Sequence, residues 1–172
     1  MWLSAAIHIN FLYISTILQY ICSMDQLDHQ IIEALAVDAR VPLTQVARDL
    51  EVASATVHQR VQRLRARGIL LGTRVRLNWA EVGLPVVAIV SLAVGSGSLE
   101  DVAERLRTVP YIENCFSVTG EFDMLIVIRA ASGSHLGEIL DDVREIAPGT
   151  SRTVVVLNTY FDGRIPPLPA AG

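Results

Sequence analysis

Residues 52–80 contain six arginines and no acid: Arg60, Arg63, Arg65, Arg67, Arg74 and Arg76. Residues 54–68 read as a helix, with Ser54 placed to cap its start and Gly68 where a helix stops. At about 100° per residue, Val57, Val61 and Leu64 share a narrow arc, the stripe that turns inward. Thr56, Gln59, Arg60, Arg63 and Arg67 share another arc, which offers a hydroxyl and an amide among guanidinium forks. Such groups match the acceptors on base edges and phosphates of a DNA major groove. A purely solvated face would gain from acidic partners at i±4, and this run has none. The candidate DNA contacts are Ser54, Thr56, His58, Gln59, Arg60, Arg63 and Arg67. Arg60 can instead anchor the bundle through Asp25 or Asp28.

Other chemistry is weakly represented. Cys22 and Cys115 form no CxxC or Cys/His cluster, so no zinc site or disulfide framework is indicated, and a reducing, cytoplasmic setting fits. Cys115 reads as a small core residue. No nucleophile–base pair, metal cluster or glycine-rich phosphate loop is present, so neither a catalytic residue nor a cofactor is expected.

The net charge of −4 over 172 residues looks wrong for a DNA-binding chain, but it is unevenly spread. Residues 24–78 hold eight Arg against six acids, or +2, while residues 79–172 hold six Arg against twelve acids, or −6. Basic charge is concentrated around the arginine helix, and the acidic remainder limits nonspecific binding. With 51% hydrophobic residues the chain can bury a substantial core, so disorder is not the default.

Several elements must position that helix. Residues 1–23 are apolar and uncharged. They lack the basic flank that orients a membrane span and the basic start of a secretory signal. The preferred reading is that Met24 is the natural start. If the segment is translated, a partner subunit is the simplest cover for it, and no membrane is expected. Residues 24–39 give an amphipathic helix on Leu27, Ile31 and Leu35, with Asp25 and Asp28 in its first turn. Pro42 breaks the chain, and residues 43–50 form a short helix with Val46, Ala47 and Leu50 inward. A turn of helix-turn-helix length then leads into the arginine helix. Residues 73–77 alternate with period two, as a strand or wing whose arginines could reach the DNA backbone. Gly83 and Pro85 mark a junction.

The second half reads strand 86–94, helix 99–107, strand 111–118, tight turn 119–121, strand 122–128, helix to Ala147 and strand 153–157. That order, β-α-β-β-α-β, is the ferredoxin-like split unit. Helices cover one sheet face, and the other is apolar enough to pair with a second copy. The expected architecture is therefore α+β: helix-turn-helix domain 24–70, strand linker 71–85, ferredoxin-like domain 86–159 and an extended Pro-rich tail 160–172.

In this order and size, these parts resemble the Lrp/AsnC (feast/famine) transcriptional regulators. The likeness runs from Met24 to about Asn158. It is carried by Met24-Asp25-Gln26-Leu27-Asp28, by Thr56-Val57-His58-Gln59-Arg60-Val61-Gln62-Arg63-Leu64 with Gly68-Ile69, by Gly120-Glu121-Phe122-Asp123, and by Pro148-Gly149. Two positions depart from the family: Ala53 stands where a serine usually opens the recognition helix, and Phe122 replaces a tyrosine. The resemblance implies regulation of transcription by a homodimer that assembles into tetramers or octamers on double-stranded DNA, in response to an amino acid or related effector. It makes Thr119, Gly120, Glu121, Phe122 and Asp123 the candidate effector pocket. Turn N–H groups there could receive a carboxylate and Asp123 an ammonium. In the alternative, Gly120 is a turn glycine and Asp123 satisfies the turn backbone. Two rival functions remain: an enzyme resembling the siroheme decarboxylases, for which the second half offers only His135, and an amino-acid sensor that does not touch DNA.

Overall fold

The structure, a computed structural model, describes residues 24–95 and 97–169. The apolar segment 1–23, with Cys22, lies outside the described residues, so the readings placed on it have no structural counterpart. The described chain divides into two compact units, residues 24–74 with 163–169, and residues 75–162.

The first unit contains α1 (Gln26–Val37), α2 (Leu43–Asp49) and α3 (Ser54–Ala66). Asp25 caps α1, its carboxylate accepting the Asp28 N–H at 2.9 Å. Pro42 sits at the N-cap of α2, where its missing N–H costs nothing. The core is small: Ile31, Val46, Ala47, Val57, Val61 and Leu64. Helix α3 ends in a Schellman motif. Gly68 takes φ +69°, the Ile69 N–H donates to Leu64 O at 2.9 Å, and the Gly68 N–H donates to Arg65 O at 2.9 Å. That is the stop the glycine predicts.

Beyond α3 the chain departs from expectation. Among the described residues, 73–77 pair with no strand; they are exposed chain, with Val75 74% accessible. Period-two alternation marks which side chains could share a face, but a strand also needs a neighbour for its N–H and C=O groups. The proline tail is not merely extended. Residues 163–169 group with the first unit, and Ile165, Pro167 and Leu168 face Ile32 and Ala36 of α1 across a groove.

The second unit contains β1 (Val86–Leu92), α4 (Leu99–Leu106), β2 (Ile112–Ser117), β3 (Met124–Ala130), α5 (Gly133–Ile146) and β4 (Ser151–Val155). These form a four-stranded antiparallel sheet in the order β2-β3-β1-β4. Ser98 and Ser132 cap α4 and α5. Ala88, Val90 and Leu92 of β1 and Met124, Ile126 and Ile128 of β3 are buried against Leu106, Ile139 and Val143 of the helices. The alternate positions, Val87, Ile89, Leu125 and Val127, are only half-buried, with Phe116 and Val154 exposed beside them. One face of the sheet is therefore covered and the other is apolar and open.

Glycine is required at position 149 by close approach. A Cβ there would lie 2.4 Å from the Ala93 carbonyl oxygen. This contact seats the start of β4 against the end of β1, where the Ala93 N–H donates to Thr150 O at 2.9 Å.

Candidate nucleic-acid interface and effector hairpin

Helix α3 buries Val57, Val61 and Leu64. Opposite that stripe stand Ala55, Gln59 and Gln62, with His58 about a quarter turn from it, all exposed. Arg63 and Arg65, also exposed, flank this row on either side. Thr56, Arg60 and Arg67 are half-buried along one border. The arc expected to act together is thus divided between an outward face and a side turned toward α1. Gln62 and Arg65 belong with the outward face and were absent from the sequence-derived set. Their spacing from Gln59 and His58 was the available signal.

The two central arginines are engaged. Arg60 Nη1 donates to Asp25 Oδ2 and, at 3.2 Å, to Asp28 Oδ1. Arg63 Nη2 donates to Asp28 Oδ2 at 2.5 Å. The Asp28 side chain is fully buried, whereas those of Arg60 and Arg63 remain 25% and 45% exposed. The anchoring role open to Arg60 is realised, and it extends to Arg63. The Asp28 backbone N–H, followed by the Arg60 guanidinium, holds the Asp25 carboxyl below the usual carboxylate range despite an opposing contribution from desolvation. Asp25 in turn pushes the Arg60 guanidinium further up. A depressed carboxyl contributes stability that is present above its unfolded value and lost as pH falls through its folded value. The stability advantage of the wild type over Asp25→Asn should therefore be level near neutrality and close below about pH 4. Acid titration of both proteins checks this, and a gap that persists undiminished at low pH would contradict it.

Ser54 does not cap α3. Ala53 occupies the N-cap with φ −66° and ψ 138°, no side chain caps the end, and Ser54 lies half-buried in the first turn. The helix starts where the family's serine would start it, but this chain has no hydroxyl there. Ala53→Ser should stabilise α3 by about 1 kcal/mol, read as slower exchange of its amides. Faster exchange would show the cap geometry to be wrong.

In the second unit, residues 118–123 join β2 to β3. Thr119, Gly120 and Glu121 are exposed, while Phe122 and Asp123 are half-buried. Gly120 takes φ +131°, a conformation that favours glycine. Asp123 Oδ2 accepts the Val94 N–H at 2.8 Å, and its own N–H donates to Leu92 O at 3.0 Å. The Asp123 side chain thus satisfies the backbone at the end of β1 rather than that of its own turn, and ties the hairpin to that strand. Cys115 is exposed on the edge strand β2 rather than in the core. Partial burial nevertheless pushes its thiol up, which makes it a poor nucleophile. Among the described residues no group of three or more His, Cys, Asp or Glu could hold a metal ion. No described helix is long and apolar enough to cross a membrane.

The AsnC-type helix-turn-helix domain matches residues 24–65, and the Lrp/AsnC ligand binding domain matches residues 87–166. The HTH-type transcriptional regulator LrpA of Mycobacterium tuberculosis is 30% identical over 143 residues, covering 83% of this chain and 95% of that protein. The HTH-type transcriptional regulator FL11 of Pyrococcus furiosus is 32% identical over 139 residues, 80% of this chain and 91% of that one. A feast or famine regulatory protein from M. tuberculosis, solved in complex with L-methionine, matches with a TM-score of 0.80 at 30% identity, covering 86% of this chain and all of that one. With both domains matched in order and a relative 30% identical over most of both chains, the chain belongs to the Lrp/AsnC family of helix-turn-helix transcriptional regulators.

Proposed function

We propose that α3 enters the major groove of double-stranded DNA with Gln59, Gln62 and His58 toward base edges, while Arg63 and Arg65 reach phosphates on either side. One observation carries this reading: the exposed face of α3 holds amides, an imidazole and guanidinium groups, with no carboxylate. Ser54 and Thr56 lie near the helix start, where a phosphate is within reach of their hydroxyls. Arg60 and Arg67 border the face, and Arg60 mainly fixes α3 to α1. Arg63 spends one nitrogen on Asp28 and keeps its other donors for the duplex.

Residues 24–70 bind DNA in this reading, 71–85 connect, and 86–159 pair two copies through the open sheet face. A homodimer presents two α3 helices to half-sites about 34 Å apart, or a multiple of that spacing. Further assembly gives tetramers or octamers. An amino acid binds at residues 119–123 and shifts the balance among assemblies. Support for that effector comes from the similar regulator solved with L-methionine. The protein regulates transcription in the cytoplasm and catalyses no reaction.

Each phosphate contact contributes about 0.9 to the slope of log affinity against log salt. Arg65→Ala and Arg63→Ala should therefore each lower that slope by about 1 and weaken binding similarly on all sequences. A slope unchanged in both variants would remove the phosphate assignments.

A further inference from the structure

The chain passes between its two units twice, after Arg74 and again after Asp162, so residues 163–169 return to the first unit. On α1, the half-buried Ile32 and Ala36 stand one turn apart, about 100° round the helix from Ile31 and Leu35. This second apolar strip has extended chain on both sides. Leu70, Gly72 and Thr73, on the way out of the first unit, line a cavity of about 180 Å³ with Ile32, Leu35 and Ala36. Ile165, Pro166, Pro167 and Leu168, on the way back, line another of about 240 Å³ with Ile32 and Ala36. Within the second unit the outgoing and returning chains are joined, Arg76 Nη2 donating to Asp162 O at 3.1 Å.

The returning segment suits an apolar wall. Pro166 and Pro167 carry no N–H that would need a partner there, and their fixed φ leaves little freedom to lose on settling. Leu168 is half-buried, while Ile165 is 54% exposed. One end is therefore seated and the other stands open, a contact shallow enough to be released.

We infer that residues 163–168 are a releasable strap: closed on α1, they give the helix-turn-helix unit a second attachment and limit the half-site spacings that two copies reach on DNA. The spacing role rests on the proposed DNA binding, whereas the docking on α1 does not. Without the strap, residues 71–77 alone tether the unit, and a flexible coil of that length has an end-to-end distance of about 15 Å. Inserting two base pairs moves a half-site by about 7 Å and turns it by about 70°. A single tether spans that displacement. A second attachment, on the other side of the Ile32–Ala36 strip from the first, resists the turn.

The test uses an operator selected from random duplexes and the same operator with two base pairs inserted between its half-sites. The full chain should lose about tenfold of its affinity on the insertion. A chain ending at Asp162, and the full-length Leu168→Asp, should each lose about threefold or less, with affinity for the parent operator within about threefold of wild type. Leu168→Asp sets a carboxylate against the apolar strip and close to Glu33, which also lines the groove, and it carries the test if the shortened chain does not fold. A second arm needs no DNA. With p-benzoylphenylalanine in place of Pro169, irradiation should join the tail to residues 32–37 of the same chain, as mass spectrometry of mixed light and heavy chains resolves. An equal loss on the inserted operator in the full chain and the folded variants would overturn the spacing role. Cross-links that miss α1, or that join only separate copies, would overturn the strap alone. A full chain that selects no operator removes the proposed function and the spacing role together.

Discussion

Asp28→Ala should destabilise the helix-turn-helix unit by about 3 kcal/mol, at the low end of what removing one partner of a buried ion pair costs. Asp28 is fully buried and accepts from Arg60 at 3.2 Å and from Arg63 at 2.5 Å. Its loss leaves two guanidinium groups facing each other across a small void. Both arginines keep some contact with water, which holds the cost below that of a fully buried orphan charge. In a unit this small the unfolding midpoint should fall by about 10 °C or more. Asp28→Asn, which keeps the shape and one acceptor, should cost less. Thermal or urea unfolding monitored within that unit decides the matter, and a loss below about 1 kcal/mol would mean that Asp28 does not hold α1 to α3. Where the variant remains folded, the released forks should raise nonspecific DNA affinity and steepen its salt dependence.

This pairing also shows where reading the chain stops. The absence of acids within residues 52–80 is a true statement about local neighbours, and it singled out α3. It says nothing of partners that folding supplies, and Asp28 lies 32 and 35 residues from Arg60 and Arg63. The inward stripe of Val57, Val61 and Leu64 was legible because helical period alone decides it. The outward row was only half legible. Attention to arginine drew Arg60 and Arg67 into the set and left out Gln62, although Gln62 stands three residues from Gln59.

The order of the second unit could be read from its alternating strand and helix patterns, since each strand there has a neighbour within the chain. Residues 73–77 carry the same alternation, and no strand neighbours them among the described residues. Ser54 was read as a cap from its residue type, whereas it is the first helical residue of α3 and the N-cap lies one residue earlier, at Ala53. For Asp123, residue type left an ammonium receptor and a turn-satisfying role equally open. Its Oδ2 accepts from Val94 N–H beyond the end of β1 instead, a partner 29 residues away that neither reading named.

The central claim is that the outward face of α3 reads base edges, and the affinity ratio between specific and nonspecific DNA tests it most directly. With an operator recovered by selection from random duplexes, Gln59→Ala and Gln62→Ala are measured singly and together at fixed salt. Each good bidentate side-chain contact to a base discriminates by about 1–3 kcal/mol, so the double variant should lose roughly a hundredfold or more of specific affinity. Nonspecific affinity should stay within about twofold, since neither amide carries charge to the phosphates. A double variant that keeps the wild-type ratio on its selected operator would contradict the account.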